Sequence, residues 1–293
     1  MTQELERKAW KISLPRKSQM EAEERPGGRW DRIALPIALV VGLMLLLYPS
    51  LSDYWNSVHQ SRAIMSYAEQ ISKMDAKQYA EMIGAAEQYN EKLSETGINW
   101  TMNEEQQKEY QSLLNYDGKG VMGYIDVPKI NVKLPIYHGT SDEVLKTSIG
   151  HLPETSLPVG GEGSHSVLSG HRGLPSAKLF SDLDKLVEGD TFTLAILNET
   201  YTYEVDKIRV VEPKDLSELR IIDKNDYCTL VTCTPYGINT HRLLVRGYRI
   251  DNIHGNAEVI DDALLLEPAF VAPFIMTPLI LFLLAVMFLK PSR

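Results

Sequence analysis

The sequence predicts a mainly β protein: a closed barrel of eight short strands, preceded by helices and flanked by two transmembrane helices. Three observations carry that prediction. Two stretches, 33–52 and 268–289, lack Asp, Glu, Lys and Arg, and about 20 apolar residues suffice to cross a bilayer core. From 53 to 115 apolar residues recur at helical spacing, for example Ile64, Tyr67, Ala68 and Ile71, then Tyr79, Met82 and Ile83, then Ala86, Tyr89 and Leu93. After Gly118 the texture changes to short apolar runs separated by Gly, Pro, Asp and Asn.

In chain order, residues 1–32 form a tail with Arg25, Arg29 and Arg32 close to the first apolar stretch, which is expected to be a membrane anchor or signal anchor over 33–52. Lys290 and Arg293 follow the second stretch, 268–289, while Asp53, Glu258, Asp261, Asp262 and Glu267 lie on the other flanks. By the positive-inside bias both tails, 1–32 and 290–293, are cytoplasmic. That makes the chain a two-pass protein of the cell membrane with its central block extracellular. A rival reading takes 37–48 as the apolar core of a signal peptide; Pro49-Ser-Leu-Ser52 is a poor small-x-small cleavage site, which favours an uncleaved anchor. In both readings the block is exported.

The charge excludes one class of partner. The 293 residues carry a formal net charge of −9, and residues 33–268 hold 20 basic against 33 acidic groups. Such a block is repelled by phosphate backbones, so nucleic acid is not an expected partner.

Residues 53–117 read as a helical spacer and candidate lid region, interrupted at Gly97-Ile-Asn-Trp100 and resumed from Glu104 to Asn115. The barrel is expected over 118–252, with strands at 123–127, 133–137, 165–169, 191–197, 200–207, 208–212, 228–233 and 242–250. Leu197-Asn-Glu-Thr200 is a hairpin turn by pattern, a helix is expected at 176–186, and a turn near 215–219. Gly-rich 158–163 lacks phosphate-loop spacing and reads as a turn. An acidic linker, 253–267, leads to the second span.

Two cysteines, Cys228 and Cys233, lie five apart in one expected strand. Odd spacing sends their side chains to opposite faces, so a disulfide between them would be strained and at least one free thiol is expected. Cys233 ends its strand before the turn Thr234-Pro-Tyr-Gly237, a position at a loop-lined rim. A nucleophilic thiol needs a proton partner and a group to hold an oxyanion. His171, in Leu168-Ser-Gly-His-Arg-Gly173, leaves a strand between two glycines; His165 sits within a strand and reads as structural; His59 and His254 lie beside the apolar stretches. His241 competes with His171, but adjacent strand residues face opposite ways, so His241 and Arg242 cannot both point at one site. Arg242 stands nine residues after Cys233 across a turn, which makes their strands an antiparallel pair. A planar, permanently charged five-donor group suits a carbonyl or oxyanion, although a surface ion pair is the commoner use of arginine.

Here the residues carry a resemblance. Thr229-Leu-Val-Thr-Cys233 is similar to the TLxTC signature of sortases, and His171 and Arg242 stand where that family places its other two catalytic residues. Leu168–Phe180, Cys233–Val245, Gly123–Ile130 and Leu134–Gly139 resemble the class C, pilus-assembling branch. The resemblance implies a sortase-type barrel and a cysteine transpeptidase acting on an LPXTG-like sorting signal of a pilin or surface protein. Cys233 would attack the Thr–Gly carbonyl, and a pilin lysine or cell-wall amine would resolve the thioacyl enzyme. Thr232 and Ser169 are candidate substrate-binding residues. Class C relatives often carry an Asp-Pro-aromatic lid; this chain has Ile98-Asn-Trp-Thr101, without proline, so Trp100 is either a degenerate plug or a packed aromatic. No cofactor is implied, and no metal, since neither Cys-x-x-Cys nor His-x-x-x-His spacing occurs. Two alternatives share these residues: an exported cysteine peptidase that releases the same intermediate to water, and a peptide-binding scaffold without catalysis.

Overall fold

A computed structural model describes residues 31–252 together with Thr277 and Ile280. The expected tails, acidic linker and second apolar span, apart from those two positions, lie outside the described residues. Two units are distinguished, 1–43 and 44–293. The described part of the first is the beginning of helix α1 (Asp31–Ser72). Among the described residues, one helix is long and apolar enough to cross a membrane, from Ile37 to Ser72. Met44, Leu45 and Leu46 on it are more than 60% exposed. The 52/53 boundary read from the sequence is not a break, because α1 runs through it.

The rest of the second unit begins with the later turns of α1, then α2 (Ala76–Thr96) and α3 (Glu104–Ser112). Each later helix starts where a side chain satisfies its free N–H groups. Asp75 accepts from Gln78 N at 2.8 Å, and Asn103 and Gln106 form a reciprocal capping box. The apolar stripe is used as its spacing predicts, with Ile64, Tyr67 and Ile71 of α1 and Ala86 of α2 buried in the main core. Tyr67 Oη also donates to Met122 O at 2.8 Å and accepts from Leu197 N at 2.7 Å, bolting α1 to strand β1 and to the turn after β5. Asn90 of α2 donates to Leu157 O and accepts from Leu157 N, closing the backbone groups of a loop.

The barrel comprises β1 (Val121–Val127), β2 (Val132–His138), β3 (Ile149–His151), β4 (Ser164–Ser169), β5 (Thr191–Ile196), β6 (Glu199–Val211), β7 (Asp226–Thr234) and β8 (His241–Ile250). It closes in the order β1-β2-β3-β4-β7-β8-β6-β5. Pairings β2/β3 and β4/β7 are parallel and the rest antiparallel. Closure leaves no exposed edge.

The strand count agrees with the sequence reading, but its membership differs. The expected strands 200–207 and 208–212 are one strand, β6, with an irregularity between Val205 and Lys207 that lets it bend without ending. The eighth strand is β3, only three residues long and too short to show alternation. The expected helix over 176–186 is absent except for a 3₁₀ turn at Leu183–Lys185. Tertiary bonds take the helix's partners: Lys178 N donates to Asp53 Oδ1 at 2.7 Å, Leu174 bridges Ala177, and Leu179 has φ 39°. The turn near 215–219 is a 3₁₀ turn at Ser217–Leu219, and Leu197 with Asn198 forms the β5/β6 hairpin turn.

Candidate active site

Strand β7 sets the site by alternation. Cys228, Leu230 and Thr232 face the barrel interior, while Thr229, Val231 and Cys233 face outward. Both cysteines are free, as their odd spacing requires. Cys228 is fully buried, and burial, reinforced by nearby Asp226, pushes its thiol far above the ordinary range, so it is inert. Cys233 is half-buried at the strand end.

Strand β8 brings the second group. Cys233 and Arg242 are direct partners in the β7/β8 register, as are Thr234 and His241. Directly opposed residues of an antiparallel pair have Cβ atoms about 5 Å apart on the same face. Arg242 therefore stands beside the thiol on the outer face, and His241 is turned to the other one. The guanidinium donates to Asn239 O at 3.3 Å and His241 O at 3.1 Å. Among the described residues no carboxylate lies within ion-pair distance of it. The surface ion pair that is arginine's commoner employment is not made.

The third group arrives on β4, which runs parallel to β7 with Ser169 opposite Val231. That offset of 62 residues persists past the strand's end. Gly170 N donates to Val231 O at 3.0 Å, Thr232 Oγ1 donates to Gly170 O at 2.7 Å, and Arg172 Nη1 donates to Thr234 Oγ1 at 3.2 Å. Carried through the segment between these two contacts, the same offset would set His171 opposite Cys233. Gly170 is required by close approach: a Cβ there would lie 2.7 Å from the Phe180 ring and 2.9 Å from Ile149. Gly173 turns the chain at φ 76° under the ring of Tyr236.

The other expected residues divide. Ser169 shares the outer face with Val231. Thr232 is 2% exposed, and its hydroxyl is occupied by Gly170 O. It holds the His171 segment from the inside instead of lining the Cys233 face, because position 232 has the wrong parity for that face. Trp100 packs with Leu152, Leu216, Val211 and Val231 around a small apolar cluster of Val167, Leu219 and Leu244. Val231 and Leu244 are two cross-strand pairs away from Cys233 and Arg242, the next pair on the same face, so Trp100 covers part of the face on which the thiol stands. Farther along that face, Lys207, Arg209, Glu218, Thr229 and Arg246 line a shallow cleft. His165 is structural: its ring contacts Arg220 O at 2.8 Å and Thr229 Oγ1 at 2.7 Å, and burial, more than any neighbouring charge, lowers its pKa to about 4. Among the described residues no group of His, Cys, Asp and Glu has metal-binding geometry. Arg172 and the apolar partners of Trp100 were not singled out by sequence reasoning; only Arg172 had a visible signal, its place next to His171.

A model of the Sortase domain matches residues 125–250, which contain this cluster. Sortase C1 of Streptococcus agalactiae is 58% identical, covering 65% of this chain and 99% of that structure, with a TM-score of 0.64. This chain belongs to the sortase family, in its class C branch. A second sortase structure, sortase C of Clostridium perfringens with the C-terminal cell wall sorting motif, is 46% identical, covering 66% of this chain and 100% of that one, with a TM-score of 0.59. Among curated sortases, sortase D of Bacillus subtilis is 31% identical over 131 residues, 44% of this chain. The match spans 63% of that relative's length.

Proposed function

We propose that the chain is a membrane-anchored cysteine transpeptidase that cuts an LPXTG-like sorting signal between Thr and Gly and joins the new carboxyl end to an amine, in pilus assembly. The observation that carries this reading is a half-buried free thiol at a strand end with a directly cross-strand guanidinium that has no carboxylate partner among the described residues; the bonds of Gly170 and Arg172 to the end of β7 support bringing His171 to the same rim. Cys233 Sγ gives its proton to His171 and attacks the Thr carbonyl carbon, Arg242 holds the oxyanion or the adjacent peptide carbonyls, and collapse breaks the Thr–Gly bond as the leaving Gly amine takes that proton from His171. An incoming amine then loses a proton to His171, attacks the thioacyl carbon and returns the thiol to Cys233. The acceptor in this reading is a pilin lysine or a cell-wall amine. The site faces the outside of the cell, as the basic flanks of the apolar stretches imply. Class C membership supports a pilin substrate, and the sorting motif named with the Clostridium perfringens relative supports the signal type.

The test is to incubate the full chain in detergent with an LPXTG-containing peptide and an excess of a peptide amine, and to follow products by mass spectrometry. Ligated product that disappears in Cys233→Ala is the expected result. Cleavage with no ligation at any amine concentration identifies a peptidase that uses water, and cleavage that survives Cys233→Ala refutes the reading.

A further inference from the structure

We propose that Arg172 is a positioning residue that sets His171 against Cys233, a role that rests on the transpeptidase reading above. Three contacts at one 62-residue offset stitch the His171 segment to the end of β7, and the last of them is made by Arg172. It reaches Thr234, the neighbour of Cys233, with Nη1, and Asp184 within the 3₁₀ turn Leu183–Lys185 with Nη2. The carbonyl of His171 accepts from Phe180 N at 3.2 Å, and Gly173 N donates to Ser181 Oγ at 3.1 Å. Backbone and neighbours on both sides of His171 are thus fixed, while among the described residues its imidazole makes no hydrogen bond and is left for chemistry.

The arrangement suits geometry better than stability. The Arg172 side chain is 9% exposed, yet Asp184 is 46% exposed and the Arg172 Nε is buried without a partner. An ion pair so placed is a poor device for stability alone, since apolar groups filling the same space are often neutral or better. A planar fork with two nitrogens on different elements does fix a distance, which a flexible lysine or an apolar pair does not. Misplacing a reacting group by about 1 Å can cost on the order of 100-fold in rate.

The experiment measures two things on the full chain in detergent. The first is iodoacetamide alkylation of Cys233, read by peptide mapping, in wild type, His171→Ala, Arg172→Ala and the double variant; the second is peptide turnover. We expect His171→Ala to change the alkylation rate several-fold in the wild-type background and hardly at all in the Arg172→Ala background. The turnover number of Arg172→Ala should fall about 10- to 100-fold with KM nearly unchanged, and Arg172→Lys should recover part of it. Should Arg172→Ala fail to fold, Thr234→Val removes the same bond from the cysteine side and is expected to show the same loss of coupling. Equal effects of His171→Ala in both backgrounds overturn the proposal, whatever their size. Absence of cleavage in wild type refutes the transpeptidase reading instead, and the alkylation cycle still decides whether Arg172 couples the two groups.

Discussion

At the scale of single residues, the parity of a strand position decides more than residue type does. Cys228 and Cys233 have the same chemistry, and five positions separate an inert core thiol from one at a rim. His241 and Arg242 are adjacent, and only Arg242 shares the face of Cys233. His171→Ala is therefore expected to lower peptide turnover by about 100-fold or more, the usual worth of a proton-transfer group, while His241→Ala stays near wild type. Steady-state kinetics on the two variants checks this, and the reverse ranking would mean that the β4 register does not continue to His171. Parity was legible from the sequence for Cys233 and Arg242, because one strand alternates on its own. It was not legible for Thr232, whose hydroxyl acts on Gly170 of a strand that pairs with β7 only in the folded barrel.

At the scale of elements, the outer face of β4, β7 and β8 carries an apolar cluster that would be exposed without Trp100, Leu216 and Leu219. The segment between α2 and α3 supplies the tryptophan and the β6/β7 connection supplies the leucines. The cover belongs to connections and not to the barrel strands, so the tryptophan can be removed without breaking a barrel hydrogen bond. Trp100→Ala is accordingly expected to raise the alkylation rate of Cys233 several-fold with the barrel intact by circular dichroism. An unchanged rate would leave Trp100 as packing alone. The sequence showed an aromatic in an interrupted helical stretch, but which surface it meets depends on α2 and α3 docking against strands far along the chain. The same holds for the missing helix at 176–186, where the bond of Lys178 to Asp53 spans 125 residues and defeats a local pattern.

At the scale of the whole molecule, two buried histidines tie the barrel to what surrounds it. His151 of β3 meets Tyr110 of α3 at 3.1 Å and Ser156 O at 2.8 Å; burial lowers its pKa to about 3. His165 is held at about 4, also by burial. In the unfolded chain both titrate near 6.5. Below that value the unfolded state binds protons that the native state refuses, so the stability these neutral rings permit is complete above pH 6.5 and is lost progressively on acidification. Each contributes a slope approaching about 1.4 kcal/mol per pH unit. Between pH 6 and 5 the free energy of unfolding, from urea titrations, should drop by about 2–3 kcal/mol. His151→Gln should roughly halve that slope, and a flat profile would show that the rings accept protons while buried.

By itself the sequence determined the membrane-length apolar stretch in α1, the helical approach, the eight-strand count, the opposed faces of the two cysteines and the closeness of Arg242 to Cys233. All of these follow from local period, hydropathy or a single turn. Only the tertiary structure decided that β3 closes the barrel and that β6 is one bent strand. It alone paired β4 with β7 in parallel, and bonded Thr232 to Gly170 and Arg172 to Thr234, on either side of His171. Parallel pairing joins residues 62 apart through no shared turn, and no local pattern can fix a register that only closure of the barrel enforces.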